Sequence, residues 1–477
     1  MANNFDLEPE IINSVGLKIE ILELENFRFF GTDNNVFTLN SQNTLIYGEN
    51  GSGKSSIFRA FEILGKDEIS SQEWKENKNI YSDTYTSIKL SLSNGNDFIL
   101  DDDHLEIADF QKELSILKPF LDYKSLLKIN YRDLDFHSKK INIYSIVKEL
   151  FKDYPIENNL VLSSIKNPDK YFKKLEYLLN SFLPLIRNFL NKFSNNFQII
   201  DFIFDKQFTD DGKVEFVVNI NLECAEMTIE KHHLFFNEAK LSSLAISIYF
   251  AFIKVFLTFQ NKDSLKILIL DDLLISLDMS NRMKLLPILK DDFSDFQIIF
   301  LTHDRELFEI YKNEKDSPFK NGKKFEIYLD KSYEIEKPFL KEHLDYFQTA
   351  KKYFKEFDYP ASANYLRKEV ERLKEIKQKQ EDSKHNKNDI LKKFHKLLQN
   401  TDLQNSENHS KVVGKLIGFK KGLETETSPE IEFDLTEIKS ITDRILNPFS
   451  HDDNSKPLYK SELENALDIV EKIRNKV

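Results

Sequence analysis

Apolar and polar positions change rhythm several times along this chain, and each rhythm predicts an element. "LKIEILELENFRFFG" (17–31) alternates with a period near two until Gly31, the pattern of a half-buried strand. "NTLIYGENGSGKSSIFRAFEIL" (43–64) reads as an apolar strand, a glycine-rich turn and a helix. "SIKLSLSNGNDFIL" (87–100) predicts a hairpin turning at Asn94-Gly95, a pair that tolerates the positive φ angles of a tight turn. From about 105 to 200 the spacing becomes helical, as in "SIVKELF" and "YFKKLEYLLNSFLPLIRNFLNKF". Strand signals return in "KVEFVVNINLE" (213–223), "LKILILDDLL" (265–274), "FQIIFLTHD" (296–304) and "KKFEIYLDK" (323–331). From about 337 the chain reads mostly as helix. Residues 369–398 have a polar, charged middle, which predicts a solvated helix pair or a loop.

The strands therefore fall on both sides of a helical stretch. No internal repeat is visible, and 105–200 lacks the sustained heptads of a long coiled-coil arm. The expected fold class is α/β, with a head built from lobes at 1–104 and 213–335, a helical insertion at 105–212, and an all-α C-terminal domain at 336–477. With 477 residues the chain can bury a core in each.

Composition narrows the class further. The longest apolar run, "LAISIYFAFIKVFLTF" (244–259), is interrupted by Lys254 and reads as a buried helix, so no membrane partner is expected. The start, "MANNFDLEPE", lacks a basic region followed by an apolar one, so no secretory signal is expected. One cysteine, Cys224, excludes an internal disulfide framework and a multi-cysteine zinc site, and suggests a cytoplasmic home. The net charge of −12 argues against broad, sequence-blind coating of nucleic acid.

Chemistry concentrates at three places. Gly48, Gly53, Lys54 and Ser55 fill the pattern G-x-x-x-x-G-K-S between a strand and a helix, the context a phosphate loop requires. Its backbone N–H groups, over Asn50, Gly51, Gly53, Lys54, Ser55 and Ser56, would concentrate positive potential on phosphates. Lys54 would reach the β- and γ-phosphates and Ser55 would ligate Mg²⁺, so ATP and Mg²⁺ are the expected cofactors. "LKILILDDLLISLD" (265–278) places two acids at the end of a buried strand, where ligands sit in open α/β sheets. There Asp271 would hold the Mg²⁺, and Asp272 would position or deprotonate the attacking water. "IIFLTHD" ends another apolar strand in His303, placed to sense a γ-phosphate.

The order phosphate loop, acidic strand, S-L-D and strand-T-H-D resembles the ABC-type ATPase heads of the RecF, SMC and Rad-type repair proteins. "LENFRFFG" also resembles the opening strand of that group. The resemblance implies that Ser276, Leu277 and Asp278 form the D-loop and His303 the switch histidine. It also implies a homodimer of heads, with ATP held between the phosphate loop of one copy and the signature of the other. The signature departs from the family's L-S-x-G-E/Q, for here the chain reads "FFNEAKLSSLAISIYF" (235–250). Asn237 aligns with the serine, Glu238 with the variable position and Ala239 with the glycine; a rival register puts Ser242 at the serine. The first is preferred because "LSSLAISIYF" then falls on the following helix. Asn237 would cap that helix and, beside Glu238, face a partner's γ-phosphate. Losing the glycine makes close backbone approach harder. Asp272 stands where many such heads carry Glu, which implies slow hydrolysis suited to a switch. No glutamine loop stands out, Gln72 and Gln111 being equal candidates, and Arg28 reads as a surface arginine on a strand end in preference to one that reaches the nucleotide.

Near the C-terminus, "ANYLRKEVERLKE" (363–375) puts Arg367 and Glu371 one helical turn apart, the spacing of an i, i+4 ion pair. In "DRILNPFSHDD" (443–453), Asn447-Pro448 breaks a helix and His451 follows. Together these resemble the HEPN-like bundle of the PrrC and RloC anticodon nucleases, in which Arg, Glu and His form the ribonuclease site. That resemblance assigns Arg367 to the phosphate and Glu371 and His451 to proton transfer, a trio that needs no metal. Arg444 with His451 fits the looser R-x6-H form. The implied function is an antiphage-defence ATPase, related to those of the Septu and PARIS systems, that controls a nuclease cutting RNA. The alternatives are a scaffold ATPase holding a separate effector nuclease, and a DNA-repair head acting on DNA ends.

Overall fold

The computed structural model describes residues 16–32, 35–82, 84–126, 140–156, 160–193, 197–208, 214–257, 264–275, 277–332, 334–378 and 460–475. The chain divides into two compact units, Met1–His343 and Leu344–Val477.

The described residues of the first unit form three sheets, the smallest pairing β7 (Gln198–Phe208), β8 (Val214–Cys224) and β9 (Met227–Thr228) in that order. A four-stranded antiparallel sheet runs β2-β1-β4-β5, from β1 (Ile19–Glu25), β2 (Asn35–Thr38), β4 (Ser87–Leu92) and β5 (Asp97–Asp101). The predicted hairpin joins β4 to β5, and Gly95 takes φ +82° in its turn. A six-stranded sheet runs β13-β12-β3-β11-β10-β6. Its members are β3 (Thr44–Gly48), β6 (Phe120–Asp122), β10 (Ile267–Asp271), β11 (Gln297–Thr302), β12 (Lys323–Asp330) and β13 (Lys337–Glu342). All pair in parallel except β13, which lies antiparallel at the edge.

Both faces of the parallel sheet are covered, which explains why β10 and β11 spell nearly continuous apolar runs. Ile267, Ile269, Ile299 and Leu301 enter one core, shared with the antiparallel sheet and with helix α1 (Lys54–Leu64). Leu268, Leu270, Ile298 and Phe300 enter the other, shared with the helices Pro168–Phe193 and Glu238–Phe256. Among the described residues, Glu238–Phe256 is the one helix long and apolar enough to cross a membrane, but 72% of that window is buried inside the protein. It is apolar on nearly all sides because it is surrounded by core, as the sequence predicted.

Three strands lie where helix was expected. β6 falls inside the 105–200 stretch, and the hairpin of β7 (Gln198–Phe208) with β8 (Val214–Cys224) begins at its end. β13 occupies the start of the region read as helical from 337. β6 has three residues, too few for any periodicity to register, and it exists as a strand because β10 pairs with it. β13 carries Pro338, which an edge strand tolerates because its outer N–H has no ladder partner to lose.

The second unit is helical in its described parts: Tyr346–Lys355, 359–378 and Lys460–Arg474. Its core joins Phe347, Leu366, Val370, Leu463 and Val470. Glu369 is fully buried there, bonded by Arg372 at 2.6 Å and by Arg474 at 3.1 Å. Beyond residue 378, the polar stretch predicted as a solvated pair or loop lies outside the described residues.

Candidate nucleotide site

The phosphate loop spans the gap between β3, ending at Gly48, and α1, beginning at Lys54. Gly51 (φ +83°) and Gly53 (φ +106°) hold angles that side chains resist. A Cβ on Gly48 would lie 2.5 Å from Ser52 Oγ and 2.8 Å from Lys54 Cγ, so the loop closes tightly over the strand end. The lead-in "NFRFF" packs on its far side: a Cβ on Gly53 would sit 3.1 Å from the Phe29 ring, and Phe29 N donates to Ser56 Oγ at 3.4 Å. Arg28, exposed on that lead-in, donates to Asn77 Oδ1 at 3.1 Å.

Lys54 is buried, and its Nζ donates to the carbonyls of Gly48 (2.6 Å) and Glu49 (3.1 Å). Burial lowers its pKa, and the nearby Asp272 and Asp271 work against that. Ser55 lies exposed in the first turn of α1, while Ser56 is buried; Asn50 and Gly51 face solvent.

Asp271 ends β10 at the C-terminal edge of the sheet. It is 9% exposed, and its Oδ1 has no hydrogen-bond partner among the described residues. Burial first, and then the charge of Asp272, push this carboxyl up to about 7, with Lys54 opposing. Asp122, at the end of β6 and in register with Asp271, adds to the push.

Asp272 adopts φ +48°, uncommon for a side-chain-bearing residue, and its N–H donates to Leu301 O at 3.0 Å. The turn aims its carboxylate at the end of β11. There Asp272 Oδ1 accepts from His303 N (2.9 Å) and lies 2.8 Å from His303 Nδ1. A proton on Nδ1 makes that second contact a hydrogen bond to the carboxylate, and in the neutral ring leaves Nε2 as an acceptor. Two residues read separately from the sequence are one bonded pair.

A second network, not foreseen, adjoins the loop. Glu326 on β12 is in register with Tyr47 and almost fully buried. It accepts from Arg305 at 2.8 Å, from Tyr328 Oη, and pairs with His343 Nδ1 at 2.9 Å. Burial would raise this carboxyl, but those contacts overcome it and hold the pKa at about 2. The only signal in the sequence was one acid inside the apolar run "KFEIYL".

The other predicted residues stand on separate elements. Asn237 caps the helix Glu238–Phe256, accepting from Lys240 N at 2.9 Å, and both Asn237 and Glu238 are exposed. Ser242, the rival serine, is fully buried within that helix. Asp278 caps the helix Met279–Asp292 by accepting from Asn281 N at 2.9 Å, and Leu277 is buried; Ser276 lies outside the described residues. Gln72 bonds Glu76 at 3.0 Å, and the buried Gln111 accepts from Ala108 N at 2.9 Å. Arg367 and Glu371 form an ion pair at 3.0 Å, while His451 and Arg444 lie outside the described residues.

The donor set fits a phosphate-bound Mg²⁺ ion. Among the described residues no group of three or more His, Cys, Asp or Glu could hold a metal alone. Mg²⁺ instead takes one or two protein oxygens and completes its shell with phosphate and water, a demand that the orphaned Asp271 Oδ1 and the exposed Ser55 suit.

Several solved structures are similar at low identity. An SMC head domain with an extended coiled coil, from Pyrococcus furiosus and bound to the C-terminal domain of ScpA, is 15% identical. That match covers 72% of this chain and all of the other, with TM-score 0.37. The SMC head domain from Thermotoga maritima is 12% identical over 68% of this chain and 100% of its own, with TM-score 0.33. The recombination mediator protein RecF, as RecF-ATPrS in the RecFOR pathway, is 15% identical over 66% and 97%, with TM-score 0.37. No curated protein matches the chain. The model of the RecF/RecN/SMC N-terminal domain matches residues 18–321, a span that holds the phosphate loop, the Asp271–Asp272 strand end and His303. The chain belongs to the RecF/RecN/SMC N-terminal domain family, and this span is an ATPase head of the SMC and RecF kind.

Proposed function

We propose that the head binds ATP with Mg²⁺ and hydrolyses it slowly, as a switch formed by two copies. The observation that carries this reading is the meeting of Lys54, Asp271, Asp272 and His303 at the ends of three adjacent parallel strands, β3, β11 and β10. A bound Mg²⁺ would neutralise phosphate charge. The chain does the rest. Backbone N–H groups from Asn50 to Ser56 bind the phosphates, and Lys54 leaves the Gly48 and Glu49 carbonyls to face the terminal ones. Ser55 and Asp271 hold the ion, Asp272 orients the attacking water, and His303 meets the γ-phosphate. Asn237, Glu238 and Asp278 face the partner copy. Hydrolysis is slow because the short Asp272 carboxylate is already engaged by His303.

The Asp271 carboxyl makes this testable by pH. Its pKa near 7 means that Mg²⁺ must displace a proton at lower pH. Mg²⁺ affinity, measured by calorimetry with a non-hydrolysable ATP analogue, is expected to weaken by up to about tenfold per pH unit below about 7 and to level off above it. Asp271→Asn should flatten that profile, and a wild-type profile that is already flat would remove Asp271 from the ion. The same shift has a sign for stability. The folded-state pKa lies above the unfolded one, so this group's contribution is lost as pH rises through about 7.

We further propose that the switch acts in antiphage defence in the cytoplasm and controls a nuclease carried by the C-terminal domain, with Arg367, Glu371 and His451 as its RNA-cleaving site. The motif order, the altered "NEAK" signature and the C-terminal resemblance support this. One observation favours a second reading, a scaffold for a separate effector nuclease. Arg367 and Glu371 already satisfy one another as an i, i+4 pair, the arrangement of an ordinary solvated helix face. Alanine at each of the three positions separates the readings. Loss of RNA cleavage and cellular toxicity at unchanged ATP hydrolysis is the expected result for a built-in nuclease. Undiminished toxicity in all three variants would leave the scaffold.

A further inference from the structure

Arg282, in the first turn of the helix Met279–Asp292, makes three contacts that join two functional loops. Its Nε donates to Leu277 O at 2.7 Å, and its two terminal nitrogens donate to Ile275 O (3.3 Å) and to Asp304 Oδ2 (2.6 Å). The guanidinium is mostly buried, and the hydroxyl of the fully buried Tyr311 pins the Arg282 carbonyl at 2.6 Å. Asp304 uses its other oxygen to cap the helix Arg305–Asn313, accepting from Leu307 N at 3.0 Å. It directly follows His303, which is bonded to Asp272.

A continuous set of bonds thus runs from the carbonyls of 275 and 277, through Arg282, to Asp304 and the Asp272–His303 pair. Ile275 (43%) and Met279 (37%) are exposed beside the exposed Asp278, while Leu277 is buried. The exposed apolar pair suits a protein surface. A guanidinium is planar, and its donors keep fixed relative angles. Moving the two carbonyls therefore swings the nitrogen that holds Asp304.

We propose that Arg282 is a positioning residue that sets the Asp272–His303 pair according to where the Ile275 and Leu277 carbonyls lie, so that a second copy seated on Ile275, Asp278 and Met279 raises the rate of hydrolysis. The inference rests on the two-copy ATPase reading above and adds the residue that carries the coupling.

The test uses the full chain with Arg282→Lys, Asp304→Asn and the double variant. Turnover is measured against protein concentration, nucleotide Kd with a fluorescent ATP analogue, and Tm in parallel. Lysine keeps the charge but lacks the fork. Arg282→Lys is expected to lower kcat by about tenfold, to leave Kd within about twofold, and to abolish the rise of turnover with concentration. Asp304→Asn should do the same, and the double variant should lose no more than either single one. Wild-type kcat and concentration dependence in Arg282→Lys would overturn the proposal. So would losses that multiply in the double variant, or a lowered Tm with unchanged kcat. A wild-type chain that hydrolyses no ATP at any concentration would instead sink the ATPase reading itself.

Discussion

Lys54→Ala is expected to weaken ATP binding by about 100-fold or more, enough to abolish it at ordinary nucleotide concentrations. The residue is a buried cation at the start of α1, and the sheet edge around it is otherwise acidic, with Asp271 and Asp272 close by. Removing it exposes the terminal phosphates to those carboxylates without a counter-charge. Each charge-assisted hydrogen bond lost is worth roughly 1.5–3 kcal/mol, and two such bonds account for the expected effect. The Gly48 and Glu49 carbonyls that Lys54 now satisfies would lose their partner as well. Isothermal calorimetry with ATP and Mg²⁺ reads the result directly. An affinity within twofold of wild type would mean that this loop is not where the phosphates sit.

Asp272→Ala should do the opposite: ATP stays bound, and kcat falls by roughly 10²–10⁴, the usual worth of a positioned base. Two effects overlap in the alanine variant, because it removes the carboxylate and places alanine at φ +48°. Asp272→Asn separates them. Asparagine tolerates the left-handed region and keeps an oxygen for His303, yet cannot take a proton. Equal losses of kcat in both variants are expected if the carboxylate is what matters. Light scattering should then show pairs of the Asp272→Ala chain in ATP and single copies without it. Wild-type hydrolysis by Asp272→Asn would dismiss the carboxylate as a base, and a single copy in both conditions would count against the two-copy switch.

Much of the head was legible because its signals are local. Glycines at 51 and 53 carry positive φ, and the helix that follows supplies its own dipole, so strand, loop and helix can be read within twenty-odd consecutive letters. The apolar runs of β10 and β11 are continuous because each strand is buried on both faces. Asn237 could be placed as a cap because a cap concerns only its own residue and the next three.

The pairings were another matter, because register between distant strands leaves no periodic trace in the letters. Asp271 lies opposite Leu301 in the parallel ladder, and that register lets Asp272 reach His303, 31 residues on. The same holds for Asp122, which stands beside Asp271 only because β6 joins β10. It holds too for Glu326, whose three partners come from a helix start, its own strand and the end of the head. The sequence alone determined the phosphate loop with its strand and helix, the buried strands β10 and β11 and the Asn237 cap, since backbone torsions and burial patterns are local properties, whereas β6 and β13 needed their partner strands to be strands at all. Only the tertiary structure decided which carboxylate meets which histidine and which arginine bridges the two loops, since those distances follow from strand order and helix packing across hundreds of residues.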